Sequence, residues 1–291
     1  DRRMPAGQPA LASGANGSTL PDRHPALAAA AAGLMHLTGH ADGPPAATPG
    51  DLVACARGAF AAFAALVAEA DDAASVHAES QLHGLDGAAL LGERAAVLGL
   101  GRRGTTSAGG HCRLVRARDG WIAVNLPRPD DLATVPAWLE CVADDPWDAV
   151  VAVAADRPVA PLVARARLLG LAVAAPAAPI APPPPWYRFG ARGRRTAAPG
   201  ARPPLVLDLS TLWAGPLAAH LLQLAGARVL KVESTQRPDG ARRGPAAFFD
   251  LLHAGKESVA LDFTSPTDRR ALVALVARAD HHDRLAAGRR P

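Results

Sequence analysis

The sequence predicts an α/β protein, a parallel-sheet unit with a smaller α+β domain, on three observations. The run LVLDL at 205–209 has the apolar density of a buried strand, and a small-residue turn, Ala214-Gly215-Pro216, follows it. Residues 217–225 then carry helical apolar spacing, Gly226 stops the helix, and 228–232 alternate as a second strand that ends on Glu233. Strand, helix, strand is one crossover of a parallel sheet. Upstream, 111–116 and 121–125 alternate on either side of Arg118-Asp119-Gly120, which is the pattern of an antiparallel hairpin. Between the two regions, 176–203 changes character, with a proline run at 182–185 and a basic, glycine-rich stretch at 190–200. That composition is a linker and marks the domain boundary.

Composition narrows the class. With 291 residues, 49% of them hydrophobic, the chain can bury a substantial core. Its richest apolar windows, 26–37 and 150–176, are short or interrupted by Asp156, Arg157, Arg165 and Arg167, so no membrane span is expected. The start, Asp-Arg-Arg-Met-Pro, lacks the apolar segment of a secretion signal, and a soluble cytoplasmic protein is the expectation. Cys55, Cys112 and Cys141 are far apart and form no CxxC pair, which argues against disulfides or zinc. The net charge of +4 comes from scattered arginines, with no basic stripe interleaved with aromatics, so no nucleic-acid partner is expected. The two lysines, Lys231 and Lys256, both lie in the crossover region.

Taken in order, 1–23 is polar and aperiodic and reads as a disordered lead-in. Residues 26–37 are alanine-rich and helical, ending before turn chemistry at 39–45. Asp51 stands just before the apolar run 52–67, where an aspartate makes a good helix N-cap. A polar hinge at 69–72 leads to another helix through Leu90, Leu91 and Ala95, and 101–110 is a glycine-rich loop. After the hairpin, 130–141 and 159–169 read as helices, and 171–173 as a short strand. Beyond the first crossover, Pro238-Asp239-Gly240 and Arg242-Arg243 form a polar loop, 246–254 a short amphipathic helix and 257–263 a third strand. Thr264-Ser265-Pro266 starts a last helix over 268–279. No strand is read in the pattern-less 281–291, which is expected to be an aberrant tail.

The crossover is Rossmann-like, and an acid twenty-odd residues after the first turn has the layout of a dinucleotide site. The glycine fingerprint is missing, however. The first turn, 210–216, holds one glycine followed by proline, which does not cradle a pyrophosphate in that way.

Four blocks carry a more specific pattern: AGP after VLDLS, then GARVLKVE, RPDGARRG and AGKESVALDF. Together they resemble the N-terminal part of class III CoA-transferases, the carnitine and bile-acid CoA-transferase type, over 204–280. The first half resembles later segments of the same family. Residues 33–39, 42–45 and 50–66 look like the block that bears its catalytic aspartate, 118–124 like its small-domain strand pair, and 165–173 like a helix and strand of that domain. The blocks occur in an unusual order. They suggest a fused two-unit arrangement cut short at both ends, divided as 1–23, 24–175, 176–203, 204–280 and 281–291.

The resemblance implies an acyl-CoA:carboxylate CoA-transferase in which the carboxylate of Asp51 attacks the thioester carbonyl. That step gives a mixed anhydride, and CoA thiolate then converts it to an aspartyl-CoA thioester. It implies Gly109 and Gly110 as oxyanion donors, and Leu212, Ser234 and Lys256 as CoA contacts, with Lys256 a phosphate partner or a helix cap. Ser234 stands where the family often carries arginine. Lys231, flanked by strand apolars, is expected to be structural. CoA or acyl-CoA enters as substrate, with no resident cofactor and no metal; a carboxylate acceptor and a homodimer complete the expected partners. Two alternatives stay open: an inactive CoA-binding remnant, and an acyl-CoA racemase on the same fold pairing Asp51 with a histidine such as His24, His36 or His40.

Overall fold

The structure is a computed structural model, and it describes residues 24–47, 50–69, 73–142, 144–176 and 203–283, with 73–77 and 281–283 described for the backbone alone. The lead-in at 1–23, nearly all of the linker at 176–203 and residues 284–291 lie outside them. In chain order the helices are α1 (Pro25–Ala31), α2 (Leu52–Ala68), α3 (Ala73–Leu82), α4 (Ala89–Val97), α5 (Pro129–Leu139), α6 (Pro146–Asp156), α7 (Val159–Leu168), α8 (Ala214–Leu224), α9 (Ala246–His253) and α10 (Pro266–Arg278). The strands are β1 (Cys112–Ala117), β2 (Gly120–Asn125), β3 (Ala172–Ala174), β4 (Leu205–Asp208), β5 (Arg228–Ser234), β6 (Glu257–Leu261) and β7 (His281–Asp283). Among the described residues no helix is long and apolar enough to cross a membrane.

The chain is of mixed α/β class and divides into two compact units, each assembled from separated stretches. The smaller one, 34–47 with 99–199, is built on an antiparallel sheet in the order β1-β2-β3. Ala117 pairs with Gly120 across a two-residue turn, and this turn organises the helices behind it. The Arg118 N–H donates to the Ala154 and Arg157 carbonyls at the end of α6, and Asp119 Oδ1 accepts from Val159 N at the start of α7. Period-two alternation turns Val115, Ile122 and Val124 inward against Val135, Trp138 and Val150. Trp138 is fully buried, and its Nε1–H is satisfied by the Leu162 carbonyl at 2.9 Å.

Helix α6 is one element that the sequence reading misses. Asp145 caps it, accepting from Trp147 N and Asp148 N, and Pro146 occupies its first turn. The short, alanine- and valine-rich run after them reads equally well as strand. The helix expected over 26–37 is also shorter. Gly33, at φ +75°, ends it, and a single 3-10 turn at Leu34–His36 follows.

The larger unit, 1–33, 48–98 and 200–291, holds a four-stranded, wholly parallel sheet in the order β6-β5-β4-β7. Leu205, Val206, Leu207 and Asp208 are all buried, as strands inside a parallel sheet must be. The fourth strand corrects the expectation of none after α10: Val206–Asp208 pair with His281–Asp283. Three histidine and aspartate residues carry no strand signal, and what supplies the pairing is the free edge of β4. The α10 helix itself starts as expected, with Ser265 Oγ accepting from Asp268 N.

Candidate functional site

Ligands of open parallel sheets bind outside the carboxyl ends of the strands. There, in the larger unit, the described residues hold a buried ionic network. Asp208 ends β4 with no exposure to solvent. Its Oδ1 accepts from both N and Oγ of Ser210, at 3.1 and 2.5 Å. Its Oδ2 accepts from Lys256 Nζ at 2.9 Å, and the same ammonium donates to the Pro216 carbonyl at 2.9 Å in the first turn of α8. Lys231 lies opposite Asp208 in the β4–β5 register. Its Nζ donates to the Ser210 carbonyl at 2.5 Å and to Asp239 Oδ2 at 2.9 Å.

Asp239 links this pair to the surface. Its Oδ1 accepts from Leu212 N and Ala241 N, both at 2.9 Å, while its own N–H donates to Glu233 Oε1 at 2.8 Å. Arg242 then grips Glu233, with Nη2 2.6 Å from Oε2, and lies over the Phe249 ring. Within the polar loop of Pro238 to Arg243, Asp239 and Ala241 are buried while Pro238, Arg242 and Arg243 stay exposed. Asp239 is buried as the cap of a 3-10 turn at Gly240–Arg243.

Charge pairing keeps these acids ionised. Burial pushes the Asp208 carboxyl up, but Lys256, Ser210 and Lys231 together bring it below the usual carboxylate range. For Asp239 burial is likewise outweighed, by the Ala241 and Leu212 N–H groups and Lys231. Glu233 is lowered chiefly by its hydrogen bonds from Arg242. Burial lowers Lys256, and Asp208 offsets only part of that. The partners thus pull in opposite senses on the ion pair. The 2.9 Å contact, with both oxygens of Asp208 taken up by donors, is the geometry of an ionised pair. His253, on α9, completes the cluster. Its Nε2 is 3.8 Å from Asp239 Oδ2, and neither ring nitrogen has a hydrogen-bond partner among the described residues. Burial, followed by the charges of Lys256 and Lys231, pushes it down to about 4, so it is neutral at neutral pH.

The residues singled out from the sequence fall as follows. Leu212 and Ser234 lie at the carboxyl end of this sheet, while Lys256 stands just before the start of β6 and reaches Asp208 with its side chain. Leu212 is half exposed and adopts φ +74°, a left-handed conformation unusual for leucine. Ser234 ends β5, and its hydroxyl exchanges hydrogen bonds with Gln236. Lys256 is buried, its ammonium turned inward onto Asp208 rather than outward towards a phosphate. Lys231 is structural, as its neighbours implied.

Asp51 is the N-cap of α2, in the same unit. Its side chain makes no cap hydrogen bond, so the carboxylate is exposed at the helix start without serving as a cap. Gly109 and Gly110 lie in the smaller unit, on the loop before β1. Gly110, at φ +83°, already donates its N–H to the Ser107 carbonyl at 2.8 Å. The sequence reading passed over Asp208, Asp239 and His253. A signal for the first two was present: two lysines in strand-bordering positions must find buried anions if they are to be inside.

The model of CoA-transferase family III matches residues 204–281, which takes in β4 to β6, the three helices between and after them, and every member of the network. Over this stretch the chain is similar to CoA-transferase family III. Its relatives include succinyl-CoA:mesaconate CoA-transferase of Haloarcula hispanica, 38% identical over 88 residues, covering 26% of this chain and 22% of that protein. The acetyl-CoA:oxalate CoA-transferase of Acetobacter aceti is 33% identical over 82 residues, 26% of this chain and 21% of its own. The succinyl-CoA:mesaconate CoA-transferase of Haloarcula marismortui is 36% identical over 88 residues, with coverages of 26% and 22%. The chain matches about a fifth of the length of these relatives. The matched segment holds the turn after β4 and the ionic network beneath it.

Proposed function

We propose that the chain acts as an acyl-CoA:carboxylate CoA-transferase, with the family III segment binding CoA and Asp51 supplying the nucleophile. The observation that carries this reading is the family match over 204–281, the stretch that also builds the turn and network at the carboxyl end of the parallel sheet. The relatives transfer CoA between small acyl groups and carboxylates, by their names succinate, mesaconate, acetate and oxalate, so the proposed substrates are a short acyl-CoA and a small carboxylate acceptor.

The chemistry assigned to Asp51 balances without any cofactor. One carboxylate oxygen attacks the thioester carbonyl, the C–S bond breaks, and CoA leaves as thiolate. The thiolate then attacks the aspartyl carbonyl of the mixed anhydride, which releases the first carboxylate and leaves an aspartyl-CoA thioester. The acceptor carboxylate reverses the two steps. Support comes from the place of Asp51 at the start of a 17-residue helix, where the dipole favours an anion, and from a carboxylate not consumed as a cap. Of the two glycines that the resemblance implies as oxyanion donors, Gly110 has its N–H engaged by the Ser107 carbonyl. Leu212 and Ser234 are proposed as CoA contacts, and Lys256 as a residue that holds the CoA-facing turn through Pro216. A homodimer is the proposed assembly.

The test is transfer from an acyl-CoA to a radiolabelled carboxylate, in the unaltered protein and in Asp51→Ala. Loss of transfer with CoA binding retained is the expected result. Transfer that survives Asp51→Ala removes the aspartate from the mechanism, and exchange of the α-proton without an acceptor moves the reading to a racemase.

A further inference from the structure

We propose that Asp239 and Lys231 are positioning residues for CoA: they lock the turn after β4 into the left-handed conformation at Leu212 that displays this turn to the ligand. The inference rests on the functional reading above, and it concerns residues that make no contact with CoA themselves.

Leucine at φ +74° is held there by something other than its own preference, because an L side chain rarely adopts that region. The restraint is visible. Asp239, reaching in from 27 residues further along the chain, accepts the Leu212 N–H at 2.9 Å. Lys231 pins the carbonyl of Ser210, two residues earlier, at 2.5 Å and fixes Asp239 at 2.9 Å. Both ends of the turn are thereby tied to one ion pair, whose side chains are 2% and 0% exposed. Gly240 passes close beneath, so that a Cβ there would lie 3.1 Å from Leu212 Cδ2.

A turn needed only to connect β4 to α8 would take glycine at this position without strain. Leucine instead keeps a half-exposed apolar side chain on the outside of the turn while every group that restrains it is buried. Strain held by an over-determined network, next to the crevice where parallel sheets bind ligands, is what pre-organisation of a binding surface requires. A turn released from Asp239 relaxes toward the ordinary regions and withdraws that surface.

The experiment is titration of the full chain with free CoA by calorimetry, with circular dichroism to confirm folding. Asp239→Ala is expected to weaken binding by about tenfold, the effect of losing a hydrogen bond to a charged group. Asp239→Asn, which keeps an acceptor oxygen for Leu212 N, is expected to recover most of it. In a Leu212→Gly background the same Asp239→Ala change is expected to cost about threefold or less, since glycine holds a positive φ unaided. Equal losses in the two backgrounds overturn the inference, because a general structural role ignores the residue at 212. Should Asp239→Ala fail to fold, Asp239→Ser serves instead in the same two backgrounds and with the same reading, since its shorter side chain loses the reach of the carboxylate to Leu212 N. If the unaltered protein binds no CoA, the functional reading itself falls and takes the positioning role with it; if it binds and only the variant pattern fails, the functional reading stands.

Discussion

Replacing Lys256 by methionine removes the cation from a buried ion pair and leaves Asp208 with no exposure to water. Taking away one partner of such a pair costs about 3–5 kcal/mol, because the remaining charge keeps its desolvation penalty and loses its compensation. Asp208 retains the N and Oγ of Ser210 on its other oxygen, so the lower end, about 3 kcal/mol, is expected. Asp208→Asn should cost a similar amount, since it strands the buried ammonium. The double change Lys256→Met with Asp208→Asn should cost less than the sum of the two by about 2 kcal/mol, the signature of direct coupling. Hydrogen exchange followed on peptides that cover β4 and β6 reads the parallel-sheet unit on its own. The pH dependence gives a second handle. The folded Asp208 carboxyl lies below its unfolded value, so its contribution is present above about pH 4 and is lost as pH falls through the lower folded value. In Lys256→Met burial is left without its main opponent, and that loss should move to higher pH. A cost under about 1 kcal/mol, or strict additivity of the two changes, would refute the reading of this contact as a coupled ion pair.

Two further outcomes are expected. His253 is held at about 4 in the folded chain, mainly by burial, against about 6.5 unfolded, so the unfolded state gains its proton first and stability falls between pH 6.5 and 4. That slope amounts to roughly 3 kcal/mol at most. Denaturant midpoints measured across the window should be flatter in His253→Leu, and an unchanged slope would place the titration elsewhere. Gly87 lies against α2, where an added Cβ would sit 2.6 Å from both the Ala56 carbonyl oxygen and Phe60 Cβ. Gly87→Ala should therefore cost about 1–3 kcal/mol by overpacking, and a thermal midpoint equal to the parent's would show that α4 shifts freely away from α2.

The parallel unit was legible because its strands and helices carry clean, separate signals. LVLDL is apolar throughout, 214–224 has helical spacing with Gly226 as its stop, and RVLKVES alternates. The hairpin at 112–125 was legible for the same reason. Where local pattern and long-range pairing part company, the reading failed. Helix α6 is an alanine- and valine-rich run whose helical state depends on Asp145 and Pro146 and on packing against the hairpin. Strand β7 exists because β4 offers an edge, a property of residues seventy positions away.

The segment was legible and its buried ion pairs were not, and the reason is burial. Charged residues near a loop read as solvated by default, which is the common case. Lys256, Asp239 and Asp208 reverse it only because each finds its counter-charge from a different element: the start of β6, the loop after β5, the end of β4. A single sequence does not reveal which distant charges pair. It does show an imbalance, however. A lysine inside RVLKVES cannot be buried alone at a cost the fold could bear, so an anion within reach of the neighbouring strand is required. Applied strictly, that requirement points to Asp208, opposite Lys231 in the register, and to Asp239, eight residues on. Of the two, Asp239 makes the direct contact, while Lys256 takes Asp208. The division matters for function. It leaves Lys231 and Asp239 free to hold the turn at Leu212, and leaves Lys256 to fix the start of α8 through Pro216. Two ion pairs thus brace the two sides of one turn, and neither exposes its charge to solvent.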